Sequence, residues 1–314
     1  MTVNVKGWRK ALLGTAAAAM LIVLASCGGG EQVETFTAKR VFAFGDETSV
    51  INSDGSKYSI NALTTSSTYD CSSNPLWIQS VAAIYGLVFP QCNPNAVAAP
   101  DSRIYAAAGA KVADLSAQID QQVLSGGFAD GDLATVLIGA NDIVAQYQQY
   151  PSIGEDQLDD NLTQAANALG DQINRLADLG VKVVVSTVPD MGLTPFAGDP
   201  AGSNAALLTR LTAQFNIKMR TRIYNDGRRI GLVLLDEYLQ TVRKFGLGYV
   251  NTTDAACLTS APLPTCTTST LTTDSSGTAA SAATWLWSDS LHLSAGGQST
   301  LGSLAVTRAQ NNPF

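Results

Sequence analysis

Short apolar runs alternate along this chain with longer stretches whose apolar residues recur every three or four positions. Val41-Phe-Ala-Phe44 reads as a first strand and ends in Gly45-Asp46. Asn74-Pro75 predicts the cap of a helix that runs to Tyr85 and stops at Gly86, with Leu76, Ile78, Val81 and Ala82 on its inner face. Ile104 to Ala107 reads as a second strand, and Val112 to Ser125 as a helix closed by Gly126-Gly127. Leu133 to Ile138 is apolar throughout but for Thr135 and runs into Gly139-Ala-Asn-Asp142. A long helix is expected from Asp156 to Leu179, then a β-branched strand, Val181 to Val185, buried on both faces. Asn204 to Asn225 predicts another helix, Ile230 to Leu235 a fifth strand, and Ser294 to Ala309 a last helix. Strands alternating with helices imply a parallel sheet covered on both sides. Ligands of such sheets bind at the carboxyl ends of the strands, where Asp46, Gly109 and Asn141 fall.

The N-terminus follows a different pattern. Lys6, Arg9 and Lys10 precede an apolar run, Ala11 to Ala25, too short for a comfortable membrane span. Leu24-Ala-Ser-Cys27 then resembles a bacterial lipobox, which implies cleavage before Cys27 and acylation of its sulfur. Gly28, rather than Asp, follows the cysteine, a pattern that implies sorting to the outer membrane of a Gram-negative bacterium. Residues 1–26 thus read as a lipoprotein signal, 27–39 as a polar tether and 40–314 as one large α/β domain.

Charge narrows the partners. Taking residues 1–26 away removes three Lys/Arg and no acid from 19 basic and 26 acidic side chains, leaving a net charge of −10. That balance argues against nucleic acid or an anionic lipid surface. It leaves the lipid anchor as the expected membrane contact, with a small molecule, lipid or glycan ester as ligand.

Four cysteines remain after Cys27. An even number in an exported chain predicts two disulfides, and neighbourhood pairs Cys71 with Cys92 and Cys257 with Cys266. Zinc is the alternative, but one histidine and no CxxC spacing disfavour it. Cys257 and Cys266 lie in a Ser/Thr-rich stretch, 251–284, which with Pro262 and Pro264 reads as an ordered surface insertion. No Walker A or dinucleotide fingerprint occurs, so no cofactor is expected. Trp77, Trp285 and Trp287 are candidates either for a sugar or acyl site or for the core.

The sole histidine, His292, lies three residues after Asp289, a spacing that lets an acid orient a base. Upstream lie Gly45-Asp46-Glu47, Tyr105-Ala-Ala-Ala-Gly109-Ala110 and Gly139-Ala140-Asn141-Asp142. Taken singly, Asn141 could be a turn residue, Asp142 a helix N-cap, Gly109 a tight turn, and Asp289 with His292 a surface cap. In this order and spacing they resemble the blocks of the SGNH, or GDSL-type, hydrolases, as does Val188-Pro-Asp-Met-Gly-Leu-Thr-Pro195. The resemblance runs from about Val41 to the C-terminus. It implies a three-layer α/β/α fold with a flavodoxin-like, five-stranded parallel sheet, and hydrolysis of an acyl ester. It also implies that Asp289 and His292 are the acid and base of a triad. Gly109 N–H, the Asn141 side chain and the backbone N–H at 47 become the oxyanion donors.

One block departs from the family. The residue after Gly45-Asp46 should be the nucleophilic serine, and here it is Glu47. Ser49 does not replace it, because a side chain two positions along points elsewhere. Three readings follow. Glu47 itself acts, by attacking substrate or orienting a water; or the chain is a disabled hydrolase that binds an envelope glycan or lipid, with Glu47 paired to His292; or the site is a relict. Ester hydrolysis is the reaction the motifs name, with Glu47, Asp289 and His292 as its candidate residues.

Overall fold

The computed structural model describes residues 36–198, 204–274 and 276–311. Cys27, the signal segment and most of the tether lie outside the described residues. The strands are β1 (Arg40–Gly45), β2 (Ala62–Leu63), β3 (Tyr69–Asp70), β4 (Arg103–Ile104), β5 (Asp132–Leu137), β6 (Lys182–Ser186), β7 (Ile230–Val233), β8 (Asn251–Ala255) and β9 (Trp285–Trp287). The helices are α1 (Trp77–Ala83), α2 (Leu115–Leu124), α3 (Ala140–Tyr147), α4 (Glu155–Asp178), α5 (Pro195–Gly198), α6 (Ala205–Arg222), α7 (Leu235–Phe245) and α8 (Ala295–Asn311).

Five strands form one sheet in the order β4-β1-β5-β6-β7, every pairing parallel. This is the expected doubly wound arrangement. Alternate residues of the central strands enter two separate cores. Phe42, Phe44, Ala134, Val136, Val183 and Val185 pack under α2, α3, α4 and α6. Val41, Ala43, Leu133, Leu137 and Val184 pack under α1, α7 and α8. Both faces are covered, which is why these strands read as unbroken apolar runs.

Three sequence expectations shift. The chain from Tyr105 to Ala107 still follows β1, but Tyr105 and Ala106 N–H both donate to the Ala43 carbonyl, so the ladder ends at Ile104. Asn74 does not cap α1: its φ is +52°, and its side-chain amide donates to the Ile60 carbonyl. The helix starts at Trp77, with the Leu76 N–H donating to the Gln79 side chain, and it ends at Ala83. Phe36 to Lys39, read as tether, already join the domain, with Ala38 buried and the Phe36 ring against Tyr85.

Both disulfides form as paired, Cys71–Cys92 and Cys257–Cys266. The Ser/Thr-rich stretch docks on the insertion after β1. Asn61 stitches the two together, its side-chain amide donating to the Pro264 and Cys266 carbonyls. Trp77, Trp285 and Trp287 are all fully buried, so they are core residues and line no ligand site.

The turn after β1 depends on Gly45. Its φ is +129°, and a Cβ there would collide with the Leu137 carbonyl. The Gln118 side chain, buried in α2, accepts from Gly45 N–H at 2.8 Å and donates to its carbonyl at 2.9 Å. Gly45→Ala is expected to destabilise the protein by more than about 3 kcal/mol, since strain and overlap add. Urea unfolding measures the loss.

Candidate active site

The candidate residues converge at the carboxyl ends of β1, β4 and β5. Beyond Gly45 the chain makes a 3-10 turn, Glu47–Ser49, capped by Asp46, whose carboxylate accepts from Thr48 N–H. Asp46 N–H donates to the Leu137 carbonyl and so ties the turn to β5. Glu47 then points across the sheet edge. Its Oε2 accepts from Gly109 N–H at 2.8 Å and from Asn141 Nδ2 at 3.1 Å, and its Oε1 lies 3.0 Å from His292 Nε2.

Gly109 and Asn141, the candidate oxyanion donors, are themselves positioned by short links. Gly109 takes a positive φ of +73° in the loop after β4. That loop is held by the Ala110 carbonyl, which accepts from Asn141 Nδ2, and by Val112 N–H, which donates to Asp142. Asp142 is therefore a brace between two blocks rather than the cap of α3, which starts after Gly139.

Asp289 organises the last block through one carboxylate. It accepts from the backbone N–H groups of Leu291 and His292, and both of its oxygens lie 2.8 Å from His292 Nδ1. His292 thus has a carboxylate on each ring nitrogen. With both carboxylates ionised, each ring nitrogen carries a proton to make its bond, and the ring is then an imidazolium held between Glu47 and Asp289. Burial alone would lower its pKa; hydrogen bonds to Asp289 and Glu47, with their charges, outweigh that and raise it to about 10. Burial opposes ionisation of Glu47, but His292, its own backbone N–H and Gly109 N–H bring its pKa below the ordinary value. Asp289 is lowered in the same way, His292 overriding burial. Asp46 goes the other way, raised to about 7 by burial and by the neighbouring Glu47 charge.

Ser49 does not join the cluster around His292. It is fully buried, and its hydroxyl accepts from the Trp77 indole N–H at 3.0 Å. Sequence reasoning missed Gln118, whose polar side chain looks like a surface residue until the Gly45 backbone is placed beside it. It also missed Lys57, buried with its ammonium on the Cys71, Ser73 and Asn74 carbonyls, which fixes the loop carrying Tyr58. The Tyr58 ring lies 6.2 Å from that of His292.

The space left above Glu47 is small. A cavity of about 20 Å³ is bounded by Glu47, Asn141 and His292 and by the apolar side chains of Leu137, Val144, Met191 and Leu291. It admits roughly one water molecule. Among the described residues, no cluster of three or more His, Cys, Asp or Glu could hold a metal ion.

Residues 41–305 match the model of the GDSL-like lipase/acylhydrolase family. The chain belongs to that family. Solved structures to which the chain is similar include an acetyl xylan esterase, AlAXEase, at 12% identity and a TM-score of 0.43, covering 84% of this chain and 96% of that one. Axe2, an acetylxylan esterase from Geobacillus stearothermophilus, shows 15% identity and a TM-score of 0.41, covering 88% and 95%. A GDSL-like lipase from Parabacteroides merdae shows 11% and 0.45, covering 89% and 98%. No curated protein matches the chain. In this family member the Glu47 carboxylate is hydrogen-bonded to Gly109, Asn141 and His292 together.

Proposed function

We propose that this chain is a latent ester hydrolase, a family member whose acyl-transfer step is held off by its own glutamate. One observation carries the reading: the Glu47 carboxylate takes up Gly109 N–H, Asn141 Nδ2 and His292 Nε2 together. An acyl ester needs the first two for the charge that develops on its carbonyl oxygen, and the third as the general base. With all three engaged, an incoming ester finds neither. This favours the disabled hydrolase over a glutamate that attacks acyl carbons. Such an attack would develop an oxyanion with its donors already spent.

The test is hydrolysis of p-nitrophenyl acetate by the purified full chain beside Glu47→Ser. The latent-site reading requires a slow native protein and a fast variant. A native protein that turns over well, and loses activity in Glu47→Ser, would overturn it.

The setting we infer for this site is the outer membrane of a Gram-negative bacterium, with the domain tethered through acylated Cys27. The support is the register of Lys6, Arg9 and Lys10, the apolar run and Leu24-Ala-Ser-Cys27. Cys27→Ala is expected to abolish incorporation of radiolabelled palmitate and to release the protein from the membrane fraction. Unchanged labelling would place the lipid elsewhere, and an unlabelled native chain would mean that there is none.

A further inference from the structure

The charges of this acidic chain are unevenly placed between the two helical layers. Residues 71–100, which carry α1 and the loop after it, contain no charged side chain. The neighbouring α8 contains one, Arg308, which is exposed. Across the sheet, α4 alone holds Glu155, Asp156, Asp159, Asp160, Asp171 and Asp178. α7 shares the layer of α1 and α8 and has acids only in its first turn. There Asp236 bonds to Thr187 and Asn216, and Glu237 to Arg220. Its last turn carries Arg243 and Lys244, both exposed.

Apolar side chains stand out on this same layer. In the loop after α7, Phe245 is 65% exposed, Leu247 48% and Val250 68%. Gly246, Leu247 and Gly248 take positive φ in succession, +77°, +40° and +92°, a strained conformation for leucine. Tyr249 pins the loop to the start of α8, its hydroxyl donating to the Gly296 carbonyl. Lys244 Nζ lies 5.1 Å from the centre of the Phe245 ring. A recess of about 410 Å³ runs from Leu247 to Pro75. Pro75 also borders a second recess, of about 300 Å³, lined by Ala82, Leu87 and Phe89. Clustered apolar side chains flanked by cations suit the boundary between lipid headgroups and acyl chains.

The tether meets the domain on this layer too. The Phe36 ring lies against Tyr85, in the turn that leads to Leu87, and the Tyr85 hydroxyl donates to the Ala309 carbonyl of α8. Cys27 is nine residues upstream, a reach of about 30 Å for extended chain. A lipid there keeps the layer near a bilayer, at the local concentration that a small patch needs to engage it. We propose that the domain docks on the membrane that anchors it, with α1, α8 and the loop 245–250 against the bilayer. Phe245, Leu247 and Val250 enter the acyl boundary, and Arg243, Lys244 and Arg308 meet lipid phosphates. The acids of α4 then face away, which spares them repulsion from anionic headgroups. This docking rests on the Cys27 anchor inferred above and adds the face that meets the lipid.

Trp77, Trp285 and Trp287 are fully buried, so a tryptophan placed on the surface reports its own surroundings. The full chain, purified from bacterial membranes, is reconstituted in vesicles of phosphatidylethanolamine with a minor share of phosphatidylglycerol. Their acyl chains are brominated and quench indole on contact. Over the wild-type background, Phe245→Trp is expected to lose most of its added emission. Ile217→Trp, exposed on α6 across the sheet, is expected to keep it. Leu247→Glu with Val250→Glu should restore the emission of Phe245→Trp. Quenching of Phe245→Trp no stronger than that of Ile217→Trp would overturn the proposal, as would quenching that the two glutamates leave unchanged. Palmitate labelling of the same preparations separates this result from the anchor. A labelled chain with unquenched Phe245→Trp keeps the anchor and loses the docking face, and a quenched chain without label keeps the face and loses the anchor.

Discussion

Glu47→Ser is expected to raise hydrolysis of p-nitrophenyl acetate by at least about 10³-fold over the native chain. Each oxyanion donor of such a site is worth about 10²–10³-fold, and a positioned general base about 10²–10⁴-fold. The substitution releases Gly109 N–H and Asn141 Nδ2 from Oε2 and frees His292 Nε2 from Oε1, so these contributions become available together. The remaining geometry needs no rebuilding. Gly109 and Asn141 are held by the Ala110 carbonyl and by Asp142, and His292 by Asp289, none of which depends on Glu47. Losing Glu47 also removes one of the carboxylates that keep His292 protonated. The variant should therefore gain activity with rising pH through a titration well below the native one. Ser49→Ala in that background should change little, because Ser49 is occupied with Trp77. Initial rates against pH for the single and double variants decide these points. A variant no faster than wild type would mean that the hole does not open when Glu47 is removed.

The parallel sheet was legible because its strands are buried on both faces, which writes them as apolar runs at Val41, Leu133, Val181 and Ile230. The site was legible because its parts sit next to glycines and acids at short spacing: Gly45-Asp46, Gly139-Ala-Asn141 and Asp289-x-x-His292. What escaped were features set by contacts far along the chain. Gln118 clamps the Gly45 backbone from 73 residues away, and Asn61 binds carbonyls more than 200 residues on. No local pattern marks either. The helix α7 was also missed. Its buried stripe is Leu235, Leu239 and Val242, and Leu235 reads equally well as the end of the preceding strand. α3 was hidden for a related reason: the Gly-x-Asn-Asp motif looks like a loop, yet Gly139 is the residue before the helix and Asn141 lies in its first turn. Above all, sequence could place Glu47 beside the oxyanion residues but could not say which oxygen faced which donor.

His292→Ala is expected to lower stability by about 3 kcal/mol near pH 7, on the order of 10 °C in Tm, because it leaves the buried Glu47 carboxylate and the half-buried Asp289 without their shared cation. Glu47 and Asp289 approach from opposite ring nitrogens, so no other group replaces the imidazolium for either. The pH dependence separates this cause from a simple packing loss. His292 has a folded pKa of about 10, above its ordinary value. Its contribution is complete below about pH 6.5, shrinks between there and pH 10, and is gone above that range. Glu47 and Asp289 have folded values below the ordinary ones, so their contribution is lost as pH falls through the carboxylate range. Asp46 works in the opposite sense: raised to about 7, it favours folding in acid and costs stability as pH climbs from about 4 to 7. Asp46 is present in wild type and variant alike, and burial and Glu47, the larger causes of its shift, are unchanged by the substitution. The gap in Tm between wild type and His292→Ala should therefore be widest near pH 6 and close steadily toward pH 10. Adding Glu47→Gln to His292→Ala should recover part of the loss by removing one stranded charge. A gap that is constant across this range, with no recovery in the double variant, would mean that His292 stabilises the fold by its volume alone and that the carboxylates around it are not ionised together.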